Sequence, residues 1–365
     1  MPMTPLAFID QYLARYQSHN PALWNYEDGC VLTGCRQLYQ ATGEEKYLRF
    51  VLDYLDARVA ADGTIPTFDT GNYNIDAINC GKALFLAWDA TGEEKYRKAL
   101  DFHAGRLAGH PRCVCGSFWH KEIYPWQVWL DGLYMAQPFA MEYETRFGGR
   151  AGYGDILRQF RNARTYLYNP AKGLSYHGWD ESRQQPWSNP DTGCSPNFWS
   201  RAMGWYLMAL IDAVEACDPA IYEVYRALCD QFREAVRGIL PYQDAATGMI
   251  YQVIDRPDVP GNYLEASGSA MLACAILKGV RLKVLLADKY LPHGLLPYET
   301  LTRDYLRTDA AGQCHLEGIC SVAGLGPGNK RDGSVAYYLS EKVVADDPKG
   351  VGAYMMATAQ KIMLP

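Results

Sequence analysis

The heptapeptide Ala41-Thr42-Gly43-Glu44-Glu45-Lys46-Tyr47 returns letter for letter as Ala90-Thr91-Gly92-Glu93-Glu94-Lys95-Tyr96. An identical segment at this separation marks a repeated architecture. Its glycine suits the left-handed residue that ends a helix, and Glu-Glu places negative charge where the next helix begins. Reading outward at helical periodicity gives about twelve helices. They fall into pairs: 5–17 with 25–40, 44–60 with 74–89, 93–108 with 126–145, 153–168 with 197–216, 220–239 with 262–285, and 287–307 with 348–362. First members carry a charged stripe, as in Tyr47-Leu-Arg-Phe-Val-Leu-Asp-Tyr-Leu55; second members are apolar nearly all round, as in Ala83-Leu-Phe-Leu-Ala-Trp88. Alternating peripheral and central helices predict an all-α fold, an (α/α)6 barrel of six helical hairpins, in one domain over 1–365.

The connection from each outer helix to its inner partner also repeats. It reads Gly63-Thr-Ile-Pro-Thr67, Gly116-Ser-Phe-Trp-His120, Gly173-Leu-Ser-Tyr-His177, Gly248-Met-Ile-Tyr-Gln252 and Gly312-Gln-Cys-His-Leu316. Each is a glycine followed by a short strand-like run. In a barrel these runs share one rim with the inner-helix N-termini. That rim gathers His120, Lys121, His177, His315, Asp76, Asp131, Arg201 and Tyr26, with Trp24, Trp119, Trp129, Trp199 and Trp205. The opposite rim, built from the Ala-Thr-Gly-Glu-Glu turns, reads as ordinary.

Composition narrows the function. The chain has 365 residues, is 48% hydrophobic and 13% aromatic, and carries a net charge of −6 without a basic block, so nucleic acid is not an expected partner. No stretch reaches the roughly 20 apolar residues of a membrane span, and Met1–Ile9 lacks the pattern of a signal peptide. Eleven cysteines, several set in apolar helices, fit reduced thiols and a cytoplasmic location.

Within Ser117–Met135, Asp131 opens an apolar helix among Trp119, Trp126, Trp129 and Tyr134. A carboxylic acid beside aromatic planes suits a sugar-processing site, with the rings on apolar sugar faces and the acid moving a proton. The plain alternative is a helix-start aspartate bonded to backbone N–H groups. Asp76, in Tyr73-Asn-Ile-Asp-Ala-Ile-Asn79, opens the preceding inner helix, so two carboxylates can approach and push one pKa upward; two unrelated helix caps are the alternative. Arg201 lies in an apolar helix and needs an acid, either from a ligand or from Asp76 or Asp131. His177 is a candidate ligand-binding histidine or a core histidine bonded to backbone. Cys113-Val-Cys115 lacks a second cysteine pair, so no metal is expected, and Gly324-Leu-Gly-Pro-Gly328 lacks the lysine and the strand-to-helix context of a phosphate loop.

Taken in order, these stretches resemble the unsaturated rhamnogalacturonyl hydrolases of glycoside hydrolase family 105. The resemblance is carried by Trp24-Asn-Tyr-Glu-Asp-Gly29, Asn74-Ile-Asp-Ala-Ile-Asn79, Phe118-Trp-His-Lys121, Trp129-Leu-Asp-Gly-Leu-Tyr-Met-Ala136 and Tyr176-His-Gly-Trp-Asp180. Further on it takes in Phe198-Trp-Ser-Arg-Ala-Met-Gly-Trp205, Cys320-Ser-Val-Ala-Gly-Leu-Gly326, Arg331-Asp-Gly-Ser-Val-Ala-Tyr-Tyr338 and Asp347-Pro-Lys-Gly-Val-Gly-Ala353. It implies an (α/α)6 barrel and hydration of the 4,5 double bond of an unsaturated uronyl residue, commonly linked to rhamnose in a disaccharide. It implies Asp131 as the acid and then the base, with Asp76 positioning substrate or water and helping to hold the Asp131 proton. Tyr26, His120, Lys121, His177 and Arg201 would bind the uronate, and Trp129, Trp199 and Trp205 would shape the pocket. No cofactor or metal is implied, and the chain is expected as a monomer or weak homo-oligomer. Alternatives are an unsaturated glucuronyl hydrolase acting on glycosaminoglycan or ulvan fragments, more remotely a sugar epimerase, and a non-enzymatic helical-repeat binding protein.

Overall fold

The computed structural model describes residues 3–365. Its helices alternate between an outer and an inner layer, in chain order. Outer α1 (Pro5–Arg15) precedes inner α2 (Tyr26–Thr42). Outer α3 (Glu45–Asp56) precedes a 3-10 turn, Ile75–Gly81, that runs into inner α4 (Lys82–Thr91). The pairs α5 (Glu94–Ala108) and α6 (Leu130–Arg146), α7 (Tyr153–Leu167) and α8 (Ser200–Ala216), and α9 (Tyr222–Ile239) and α10 (Ala266–Arg281) follow. Outer α11 (Ala287–Thr300), a short α12 (Val335–Ser340) and inner α13 (Pro348–Ile362) end the chain. Around the ring α2 packs on the Ile75–Gly81 turn, that turn on α6, α6 on α8, α8 on α10, α10 on α13, and α13 back on α2. The ring is therefore a closed (α/α)6 barrel. Inner helices such as α8 and α10 are buried almost throughout, while α9 buries one stripe.

The repeated heptapeptide makes the same structure twice. Gly43 and Gly92 adopt φ of 69° and 67°, and their N–H groups donate to Tyr39 O and Trp88 O. Thr42 Oγ1 accepts the Glu44 N–H (3.1 Å), as Thr91 Oγ1 accepts that of Glu93 (3.2 Å). Lys46 and Tyr47 then reach Asp10 of α1, and Lys95 and Tyr96 reach Asp56 of α3. Each copy thus ties an outer helix to the one before it, which is why seven letters recur rather than one.

Differences from expectation sit at the site end. The helix expected from 126 begins at Leu130, because Gln127–Trp129 is drawn into a strand paired antiparallel with Gly178–Asp180. The one expected from 74 starts as a 3-10 turn, and the one expected to 307 gives way after Thr300 to the π turn Leu301–Tyr305. Helix α12 was not foreseen. No helix among the described residues is long and apolar enough to cross a membrane.

Closure of the ring depends on the α13–α2 seam, where small residues let backbones approach. A Cβ at Gly352 would stand 2.6 Å from Cys30 O. Gly352→Ala should therefore destabilise the fold by about 1–3 kcal/mol through overpacking. Gly105→Ala, on exposed outer α5 where a Cβ meets nothing within 4 Å, should instead add about 0.5–1 kcal/mol. Urea unfolding of the two variants reads both; equal effects would contradict the tight seam.

Candidate active site

All five rim runs bind the barrel by one rule. A backbone carbonyl of each run, or in the fifth case two residues beyond it, accepts an N–H at or just before the start of the preceding inner helix. The pairs are Trp24 N–H to Thr67 O (2.8 Å), Ile75 to His120 (3.2 Å), Leu130 to His177 (3.1 Å), Ser200 to Gln252 (3.0 Å) and Ala266 to Gly318 (2.9 Å). Their leading glycines, Gly63, Gly116, Gly173, Gly248 and Gly312, all have positive φ, between 68° and 89°. His120 and His177 hold equivalent places, each beside the helix start that bears an aspartate.

Asp131 lies in the first turn of α6. The pairing of Trp129 with Gly178 brings it against His177. Any Cβ at position 178 would stand 2.9 Å from the Trp129 ring and 2.5 Å from Leu325, so glycine permits this approach. Asp131 Oδ2 is 3.3 Å from His177 Nε2. Neither atom has an aligned hydrogen-bond partner among the described residues, although His177 is fully buried. His177 Nδ1 is 2.8 Å from the Tyr338 hydroxyl. A hydroxyl can donate or accept. With Tyr338 donating, His177 Nε2 carries a proton towards an ionised Asp131. With Tyr338 accepting, Nε2 offers a lone pair to a protonated one. The pair accommodates both states that an acid/base group must visit.

Asp76 sits in the adjacent 3-10 turn with a different set of partners. Asn74 pairs with Lys121 across the rim, which lays Lys121 Nζ 2.7 Å from Asp76 Oδ2, and His120 Nε2 lies 3.6 Å from Oδ1. Burial works to raise the Asp76 pKa, but Lys121 and then His120 hold it below the ordinary carboxylate value. The carboxylate of Asp76 itself is thus held in its charged form by an ion pair. Burial also pushes His120 down to about 4, so it is neutral in the working range.

Aromatic rings wall the site. Trp129 lies between His120 and Tyr124, with centroids 4.3 and 5.2 Å away and near-parallel planes. Trp199 contacts His177 at 4.7 Å and Tyr338 at 6.0 Å. Its Nε1–H donates to Gln252 Oε1 (3.1 Å), and Gln252 Nε2 donates to Tyr338 O (3.2 Å). Tyr26 opens α2 and feels both Asp76 and Arg201; burial lifts its pKa well above the phenol value. Trp205 stacks on Tyr134 at 4.6 Å, one turn further into the barrel.

Arg201 pairs with neither aspartate. Its guanidinium donates to Cys320 O, Ser267 Oγ (3.2 Å) and Ser321 O (3.4 Å), holding the loop after Ile319, and only Nε lacks a partner among the described residues. Three rim candidates lie elsewhere. Trp24 Nε1–H donates to Ala77 O and its ring packs on His103; Trp119 packs on Trp126; His315 pairs with Asp346. Tyr338, Gln252 and Tyr124 were not singled out from sequence. Tyr338 lay within a quoted motif, but nothing local marks it as the partner of a histidine 161 positions earlier. Nor is the opposite end ordinary. Lys82, Lys278, Arg36, Glu142, Asp212 and Glu215 line a cavity of about 320 Å³ there. Burial draws Lys82 down to about 7, and its Nζ donates to Tyr134 O (2.6 Å).

A six-hairpin barrel with a carboxyl group set among rings, histidines and a lysine on its inner-helix rim defines a carbohydrate-active class. The chain belongs to Glycosyl Hydrolase Family 88, which matches residues 7–364. A family 105 glycoside hydrolase of C. acetobutylicum is 41% identical and superposes with a TM-score of 0.93, covering 99% of this chain and 100% of that one. The unsaturated rhamnogalacturonyl hydrolase YesR of Bacillus subtilis is 27% identical over 277 residues, 73% of this chain and 74% of its own length. The unsaturated glucuronyl hydrolase of Bacillus sp. GL1 shares the fold, with a TM-score of 0.64 at 16% identity over 91% of this chain and 85% of that one. The protein is a glycoside hydrolase of the family 105 type, as its motifs implied.

The Asp76–Lys121 pair is directly testable. Lys121→Met strands a buried carboxylate and should cost on the order of 3 kcal/mol at neutral pH, with much of it recovered when Asp76→Asn is added. Because the folded pKa of Asp76 is lowered, the coupling is present above the unfolded value of about 3.9 and fades as pH falls through the lower folded value. A double-mutant cycle of unfolding free energies at neutral and acid pH measures it. A coupling unchanged in acid would mean that Asp76 is not the ionised partner.

Proposed function

We propose that this enzyme hydrates the 4,5 double bond of an unsaturated galacturonyl residue at the non-reducing end of a lyase-generated oligosaccharide, releasing rhamnose or another sugar. Asp131 donates a proton to C4. Positive charge develops towards C5 and the ring oxygen, and the Asp131 carboxylate then takes a proton from the water that adds at C5. The resulting hemiketal opens and frees the aglycone. This path differs from the two-carboxylate displacement of most glycosidases. The observation that carries the reading is the rim pair of partly buried Asp131 and fully buried His177, whose facing atoms have no aligned hydrogen-bond partner among the described residues and whose imidazole is backed by Tyr338. Such groups are costly to leave unsatisfied unless a ligand completes them.

Asp76, kept ionised by Lys121, positions substrate or water, and its negative charge favours the protonated form of Asp131. Lys121, His120, Tyr26 and the free Nε of Arg201 meet the uronate and its hydroxyls, and Trp129 and Trp199 bound the sugar. A galacturonyl preference and a pectin-derived substrate are supported by the likeness to YesR. Substrate turnover is read as loss of the ultraviolet absorbance of the conjugated double bond. Pectin-lyase disaccharides should be consumed faster than those from glycosaminoglycan or ulvan lyases; the reverse order would move the enzyme to the glucuronyl class.

Asp131→Asn should keep the fold and most of the substrate affinity yet lose about three orders of magnitude in turnover, within the range that acid–base catalysis supplies. Near-normal turnover in that variant would remove Asp131 from the acid role. No metal takes part in this chemistry, so turnover should survive exhaustive chelation and dialysis; a loss restored by zinc would overturn that part of the reading.

A further inference from the structure

Cys113-Val114-Cys115 taken alone is too sparse for a metal site, but the fold brings in a third donor from far along the chain. Arg112 and Phe118 pair across a tight turn in which the Cys113 N–H donates to Ser117 O (2.8 Å) and the Gly116 N–H to Cys113 O (2.9 Å). From α7, Asn162 Nδ2 pins this turn by donating to Cys115 O (3.0 Å) and Ser117 Oγ (2.9 Å). Glu181 follows the strand Gly178–Asp180 and leans over the turn, its carboxylate accepting the N–H groups of Val114 (2.7 Å) and Cys115 (3.1 Å). Both sulfurs and a Glu181 oxygen thereby lie within 4.8 Å of one another.

We infer that Cys113, Cys115 and Glu181 form a binding site for a thiophilic divalent cation of the zinc class. Bonds of about 2.3 Å to sulfur and 2.0–2.2 Å to oxygen at tetrahedral angles put such donors roughly 3.5–3.8 Å apart. Small rotations of the half-exposed Cys115 and Glu181 close the difference from the separations found here. Two sulfurs and one carboxylate select zinc or cadmium over calcium or magnesium. Binding breaks both S–H bonds, passes the two protons to solvent and forms two metal–sulfur bonds, while Glu181 supplies an oxygen and water the fourth position. Val114, 89% exposed at the tip of the turn, leaves the entry route open. The ion would act as a clasp. It joins the 112–118 turn to the strand that pairs with Gln127–Trp129, and Glu181 N–H already donates to Trp126 O (3.0 Å) at the head of that pairing. It shares no residue with the Asp131 site and supplies nothing to the chemistry there.

The test is a titration of the full-length, reduced and chelator-stripped protein with cadmium, followed by the sulfur-to-cadmium charge-transfer band. About one ion should bind tightly, with release of about two protons. Cys115→Ser should abolish that tight phase, and Glu181→Gln, which keeps an oxygen for the backbone bonds, should weaken it at least about tenfold. Zinc should raise the melting temperature of the parent protein and leave that of Cys115→Ser unmoved. A parent protein with both thiols reduced that shows no tight phase would overturn the assignment. So would a tight phase that persists unchanged in Cys115→Ser, or a Cys113–Cys115 disulfide that survives reduction and excludes cadmium.

Discussion

The bond from five of the six inner-helix starts to a rim carbonyl is the constraint on which the site depends. A helix leaves its first N–H groups without internal partners, and inside a barrel water cannot serve them all. Here the next hairpin supplies the acceptor, from Thr67 O to Gly318 O. The bond fixes register, and register fixes which side chain arrives beside the helix start, since a one-residue slip would turn the run over. In four runs the acceptor is the fourth residue after the glycine. In the fifth it is the sixth after Gly312, a shift of two that preserves the face. His120 beside Asp76 and His177 beside Asp131 are thus two instances of one backbone arrangement.

The same arrangement gives the two aspartates different lives. Lys121 follows His120 and is bridged to Asn74, so Asp76 receives an ammonium group at 2.7 Å and stays charged. At the equivalent place after His177 stands Gly178, which has no side chain to offer and is required there by the closeness of Trp129. Among the described residues Asp131 therefore faces an imidazole and rings but no lysine or arginine. A glycine-for-lysine difference at the position after the histidine thus gives Asp76 an ammonium partner and Asp131 none from its own run, and Tyr338 behind His177 can either donate to the imidazole or accept from it.

Much of this was legible in the sequence, for reasons that can be stated. The helices and their layers follow from periodicity and from a heptapeptide whose Thr, first Glu, Lys and Tyr have equivalent structural partners in both copies. The rim was legible because five glycines announce five turns. Asp76, Asp131, His120, Lys121 and His177 were legible because each is tied locally to a helix start. What escaped is what arrives from afar. Tyr338 and Gln252 reach Trp199 and His177 only through tertiary packing, and Glu181 meets Cys115 across 66 positions. Position on the rim also does not reveal which way a ring faces, so Trp24, Trp119 and His315 could not be told from Trp129. Lys82 and Lys278, both buried near the other end, carry no local sign of their burial.

Those lysines point to a polarity that runs through the whole barrel. The inner helices are parallel, so their partial positive ends share the rim and their partial negative ends share the floor. Acids collect at the rim: Asp131 and Asp76 lie in first turns, while Glu265 and Asp347 cap α10 and α13. Cations collect at the other end, where Arg146, Lys278 and Arg281 occupy last turns of α6 and α10. There they meet Asp89, Glu142, Asp212 and Glu215, and the excess charge is cancelled within the protein. At the rim satisfaction is incomplete, because Asp131, His177 and Arg201 each keep a buried atom without a hydrogen-bond partner among the described residues. The end of the barrel whose helix dipoles favour negative charge is therefore also the end that keeps unsatisfied polar atoms, while the floor is closed by its own ion pairs.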